Sequence, residues 1–97
     1  CILMPDDYAC LGALEAASEL GLRVPEDLSL GGYDGMRLAQ HIRPRLTTIA
    51  QNASQIGMLA ARRLVDAIEC APPKEPWTTT VPGQLLAGES MGPISHA

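Results

Sequence analysis

The 97-residue sequence predicts an α/β fold: a parallel sheet with flanking helices. The prediction rests on three observations. Short apolar or β-branched runs, "CILM", "LSLGGYD" and "TTIA", have the length and composition of strands. Two longer stretches, "YACLGALEAASELG" and "SQIGMLAARRLVDAIEC", repeat their apolar residues at helical spacing. The two kinds of segment alternate, which implies parallel strands joined through helices packed on the sheet faces.

Each element follows in order. "CILM" precedes "PDD", so it suits a strand buried on both faces whose carboxyl end opens into a loop. A helix over about residues 8 to 20 follows, with Leu11, Leu14 and Leu20 beside Ala13 and Ala17. Asp6 or Asp7 can cap it, because a short carboxylate accepts from the free amides of the first turn. Gly21 supplies the left-handed position after the helix, and Leu22 can close a Schellman contact. Ala9, Cys10, Ala13, Ala16 and Ala17 leave this helix apolar on more than one side. Either a layered fold covers both faces, or one face meets another subunit.

"RVPED" is a turn, and "LSLGGYD" is the second strand, its paired glycines permitting close backbone approach. "GMRLAQHI" holds a short helical turn. "RPRL" is a loop in which Pro44 restricts Arg43 to extended geometry. "TTIA" is the third strand. The second helix carries Ile56, Ala60, Leu64, Ala67 and Ile68 on one stripe, capped by Asn52 or Ser54, with Arg62 and Asp66 placed to pair. "APPKEP" is a stiff linker, "WTTTV" and "QLLAGES" are strand-like, and "MGPISHA" is a tail.

Composition narrows the function. The chain is 46% hydrophobic and 19% charged, which excludes disorder and fibrous classes. A net charge of −4 argues against this segment gripping nucleic acid itself, since that needs a basic face. No apolar run reaches about 18 residues, so no membrane contact is expected. The opening "CILMPDD" lacks a basic n-region, and a chain that starts on a strand reads as cut from something longer. Cys1, Cys10 and Cys70 are odd in number and fit no metal spacing. They read as reduced, mostly buried thiols of a cytoplasmic protein, with no metal and no cofactor.

Open α/β sheets bind ligands at the carboxyl ends of their strands. That rule collects Asp6 and Asp7, Asp34, and Gln51 with Asn52 at one rim. The carboxylates invite an acid–base or metal reading, but they are also good cap and turn residues. No nucleophile–base pair accompanies them, and the histidines are His41 and His96 alone, so an enzyme is not expected. "GGYDG" lacks the spacing and following helix of a phosphate loop. Arg43 and Arg45 read as solvated loop charges, and Thr47 and Thr48 as ordinary strand residues.

The residues also carry a resemblance. "DDYACLGALEAASELGLRVPEDLSLGGYDG", then "IRPRLTTIAQNASQIGMLAARRLVDAI", then a late "ESMGP" are similar to the C-terminal half of LacI/GalR-family transcription repressors. The resemblance runs from residue 1 to about residue 93. It implies a periplasmic-binding-protein-like C-terminal subdomain over 1–93, an incomplete domain, with 94–97 as a tail. The N-terminal helix-turn-helix and first subdomain would be absent. In that family a small-molecule effector, a sugar or nucleoside-like compound, sits between two subdomains. A homodimer binds operator DNA through the headpiece alone.

Site residues carry over by position. Asp6 stands where the family has Asn, which removes a donor and adds a charge. Asp34 is the kept first acid of the family's Gly-(Phe/Tyr)-Asp-Asp, with Gly35 in place of the second, and Gln51 follows "TTI". These three are the expected effector contacts. Leu11, Leu14 and Ile42 are the expected dimer contacts. Arg45 stands where the family prefers proline. The alternative is a fragment of a periplasmic sugar-binding protein of an ABC transporter, which shares the fold.

Overall fold

The computed structural model describes residues 1–93, so the expected 94–97 tail lies outside the described residues. The chain divides into two compact units. Among the described residues, one comprises Cys1–Gln51 and residues 84–93; the other is Asn52–Gly83.

The first unit is built on a four-stranded sheet in the order β1 (Ile2–Leu3), β2 (Leu30–Asp34), β3 (Thr47–Ala50), β4 (Gln84–Leu86). The first three strands are parallel, with Leu3 beside Gly31 and Asp34 beside Ala50. β4 runs antiparallel to β3, so the sheet is mixed rather than wholly parallel. The proline-rich residues 71–83 follow α2 and precede β4, and an antiparallel neighbour needs no parallel crossover. "WTTTV" forms no strand. A β-branched run needs an adjacent edge to pair with, and its unit holds no strand among the described residues.

Helix α1, Asp7–Glu19, starts where Asp6 caps it: Asp6 Oδ1 accepts from the Ala9 amide at 2.7 Å. It ends in the expected Schellman motif. Gly21, at φ 70°, donates to Ser18 O at 3.1 Å and Leu22 donates to Ala17 O at 2.8 Å. α1 lies against β2. A side chain at Gly32 would overlap the Asp7 carboxylate and crowd Cys10 Sγ, so this glycine is what lets helix and strand approach. Beneath the helix, Cys10, Ala39 and Leu46 form a small buried core, with Met4, Leu14 and Ile42 packed on it. Ala39 belongs to the 3₁₀ turn Arg37–Gln40, and its carbonyl accepts from Leu46 N at 2.9 Å.

Two expectations about burial fail. β1 is not buried: Ile2 is 45% and Leu3 76% exposed, because β1 is an edge strand and α1 covers only one face of its unit's sheet. The thiols are free, but Cys10 alone is buried, while Cys1 and Cys70 are exposed.

Residues 88–92 fasten the unit's closing segment. Ser90 is fully buried. Its hydroxyl donates to Leu30 O at 2.6 Å and accepts from Thr47 N at 2.9 Å. Arg45 N–H donates to Glu89 Oε2 at 3.0 Å, and Arg45 Nε lies 3.2 Å from Glu89 Oε1. A proline at 45 has no N–H to give, so the arginine has a structural reason in this chain.

The second unit carries α2, Ala53–Cys70, capped by Asn52, whose Oδ1 accepts from Gln55 N at 3.1 Å. Arg62 and Asp66 form no ion pair; Arg63 stacks on Trp77 with its guanidinium carbon 4.5 Å from the ring centroid. No helix among the described residues is long and apolar enough to cross a membrane.

Candidate functional site

The carboxyl ends of β1, β2 and β3 lead into Asp6, Asp34 and Gln51. Two of these residues meet. Gln51 Nε2 donates to Asp34 Oδ1 at 2.5 Å, and Gln51 N donates to Asp34 O at 3.3 Å. Asp34 is half-buried and Gln51 exposed, so the pair sits at the surface of the rim. Asp6 does not join them. Its Oδ1 is engaged by the helix cap, which leaves Oδ2 outside that bond.

Asp34 holds φ 113° and Gly35 φ 73°. The first value is unusual for a residue with a side chain, and such geometry concentrates at functional sites. The second suits glycine, and space demands it as well: a Cβ at Gly35 would lie 2.5 Å from Ala50 Cα. The acid that the family places here has no room in this chain.

Behind the rim lies a buried network that sequence reasoning assigned differently. Asp7, considered there as a cap or rim acid, is 2% exposed, and Thr48, considered a plain strand residue, is 1% exposed. The Thr48 hydroxyl donates to Asp7 Oδ1 at 2.6 Å and accepts from Gly35 N at 3.3 Å. Asp7 Oδ2 accepts from Met36 N at 2.7 Å. A carboxylate out of water needs donors of this kind. The adjacent pair Asp6-Asp7 was the only sequence signal. That one acid caps the helix while the next turns inward depends on neighbours 29 and 41 residues away.

The electrostatics are acidic. Burial pushes the Cys10 thiol up, and the charges of Asp7 and then Asp6 push it further. Among the described residues no group of three or more His, Cys, Asp or Glu side chains is arranged to hold a metal ion. The rim therefore offers acceptors (carboxylates and an amide oxygen) together with the Gln51 amide as a donor, a set suited to hydroxyl-bearing molecules.

Leu11, Leu14 and Ile42 are all half-buried. Leu14 and Ile42 pack on the small core, while Leu11 borders Leu38, Ala39 and Leu46. Leu38, on the same 3₁₀ turn as Ala39, is exposed.

Residues 1–91 match the model of the periplasmic binding protein-like domain family. The chain is 41% identical over 85 residues to the HTH-type transcriptional repressor PurR of Yersinia enterocolitica, covering 88% of this chain and 25% of that protein. It therefore spans about a quarter of the length of that curated relative. Among solved structures it is similar to a LacI family transcriptional regulator from Enterococcus faecium with bound ribose. There the TM-score is 0.81 and the identity 31%, over 96% of this chain and 34% of that one. A LacI family transcriptional regulator from Arthrobacter sp. FB24 in complex with lactose gives a TM-score of 0.80 and 34% identity, over 94% of this chain and 35% of that one.

Proposed function

Because the chain belongs to the periplasmic-binding-protein-like domain family, in the form carried by LacI-family regulators, we propose that it is the effector-sensing and dimerisation part of a DNA-binding transcriptional repressor. The effector is a small polar molecule, a sugar or a nucleoside-like compound. Asp34 and Gln51 contact it, with Asp6 contributing its uncapped oxygen. Leu11, Leu14 and Ile42, next to the exposed Leu38, form the surface that meets a second copy. DNA is bound by a headpiece outside this chain, in the cytoplasm. Effector binding changes operator affinity by favouring one arrangement of the domain over another.

The observation that carries this reading is the Asp34–Gln51 pair. It joins the ends of two parallel strands, in an unusual backbone conformation, where sheets of this type take their ligands. Relatives of similar fold hold ribose and lactose, which are hydroxyl-rich. The test is calorimetric titration of ribose, lactose and adenosine into the full-length protein and its Asp34→Ala variant. A compound that binds the wild type is expected to bind the variant at least about tenfold more weakly, the loss of a hydrogen bond to a charged group. Equal affinities would remove Asp34 from the site.

A further inference from the structure

We infer that Asp7 and Thr48 are positioning residues for Asp34: they clamp the 34–36 turn in the backbone conformation that sets Asp34 against Gln51. The inference rests on reading Asp34 as an effector contact, and it assigns work to two buried groups that do not touch the rim themselves.

A backbone angle such as that of Asp34 persists only where its surroundings over-determine it. Here three consecutive residues are held by three partners. Asp34 is bonded by Gln51, the Gly35 amide by the Thr48 hydroxyl, and the Met36 amide by the Asp7 carboxylate. The hydroxyl-to-carboxylate bond of 2.6 Å then joins two of those partners to each other. The result is a closed loop of bonds from α1 through β3 to the turn.

A capping role does not account for Asp7. Asp6 already caps α1, and Asp7 spends both oxygens on groups outside its own helix. Neither ion pair among the described residues includes it, so Thr48 and Met36 are the donors that make its burial tolerable. Gly32 is the matching concession on β2, since a side chain there would occupy the carboxylate's place.

The test is amide hydrogen exchange on the full-length protein without any sugar, comparing wild type, Thr48→Val, Thr48→Ser and Asp7→Asn. Valine keeps the β-branched shape but loses the hydroxyl, and serine restores the hydroxyl. Thr48→Val is expected to speed exchange of residues 34–37 roughly tenfold while residues 10–18 of α1 keep their protection. Thr48→Ser should return it to the wild-type rate. Asp7→Asn, which replaces one acceptor with a donor, should produce a smaller increase in the same segment. Unchanged exchange at 34–37 in both Thr48→Val and Asp7→Asn would overturn the inference. So would equal acceleration of α1 and the turn, or failure of serine to rescue. Sugar-independent exchange separates this result from the effector reading: Asp34→Ala can leave affinity intact while the clamp stands, and the reverse.

Discussion

Asp34 adopts φ 113° with a side chain attached, a conformation that costs on the order of 1–3 kcal/mol and has to be held by its neighbours. Gly35 next to it has no such freedom to change. Its φ of 73° and the 2.5 Å approach to Ala50 act in the same direction, one conformational and one steric. Gly35→Ala is therefore expected to lower the unfolding free energy by at least about 2 kcal/mol, read as a drop in the urea midpoint at unchanged slope. A midpoint equal to wild type would show that the turn relaxes. The residue types at 34 and 35 were visible as a strand-end aspartate before a glycine. Their backbone angles were not, because the turn is shaped by bonds from Gln51, Thr48 and Asp7, which lie elsewhere in the chain.

At the scale of elements, the termini of α1 follow local rules, and its faces do not. Asp6 and Gly21 act through bonds to residues within a few positions, so the cap and the Schellman motif were legible in sequence. The excess apolar surface of α1 pointed to two covered sides. One is covered by β2 and the small core; Leu11 lies at the margin of that core, beside exposed Leu38. Leu11→Arg should weaken self-association of the full-length protein roughly tenfold or more in sedimentation, with its helical circular dichroism retained. Unaltered sedimentation would move the partner surface elsewhere. The loop between α1 and β2 carries a pH-dependent contact. Hydrogen bonds from the Arg23 side chain and backbone lower the Asp27 carboxyl from its usual 3.8 to about 2. A carboxyl lowered in the folded state adds stability above its unfolded pKa and loses it as pH falls from about 4 to about 2. Asp27→Asn should flatten that part of the pH dependence of the thermal midpoint. The effect is small, because the pair is exposed to solvent.

For the whole molecule, the chain spans about a quarter of the length of the PurR relative, and on the proposed reading it supplies only part of the ligand site. A rim of Asp6, Asp34 and Gln51 offers hydrogen bonds but no enclosure, and sugar sites gain affinity by burying most of the ligand. The isolated 97 residues should accordingly bind ribose, lactose or adenosine far more weakly than the full-length protein does in the same calorimeter. Comparable affinity would place the complete site within this chain. By itself the sequence determined the alternation of strands and helices, the helix caps, and which acids stand at the strand ends. These depend on spacing and on neighbours a few residues apart. Only the tertiary structure decided that β4 enters antiparallel, that "WTTTV" stays unpaired, and that Asp34 meets Gln51. It also decided that Asp7 and Thr48 are buried together. Each of those outcomes depends on a partner group distant in sequence: a strand edge, an amide or a hydroxyl that must be satisfied once water is gone.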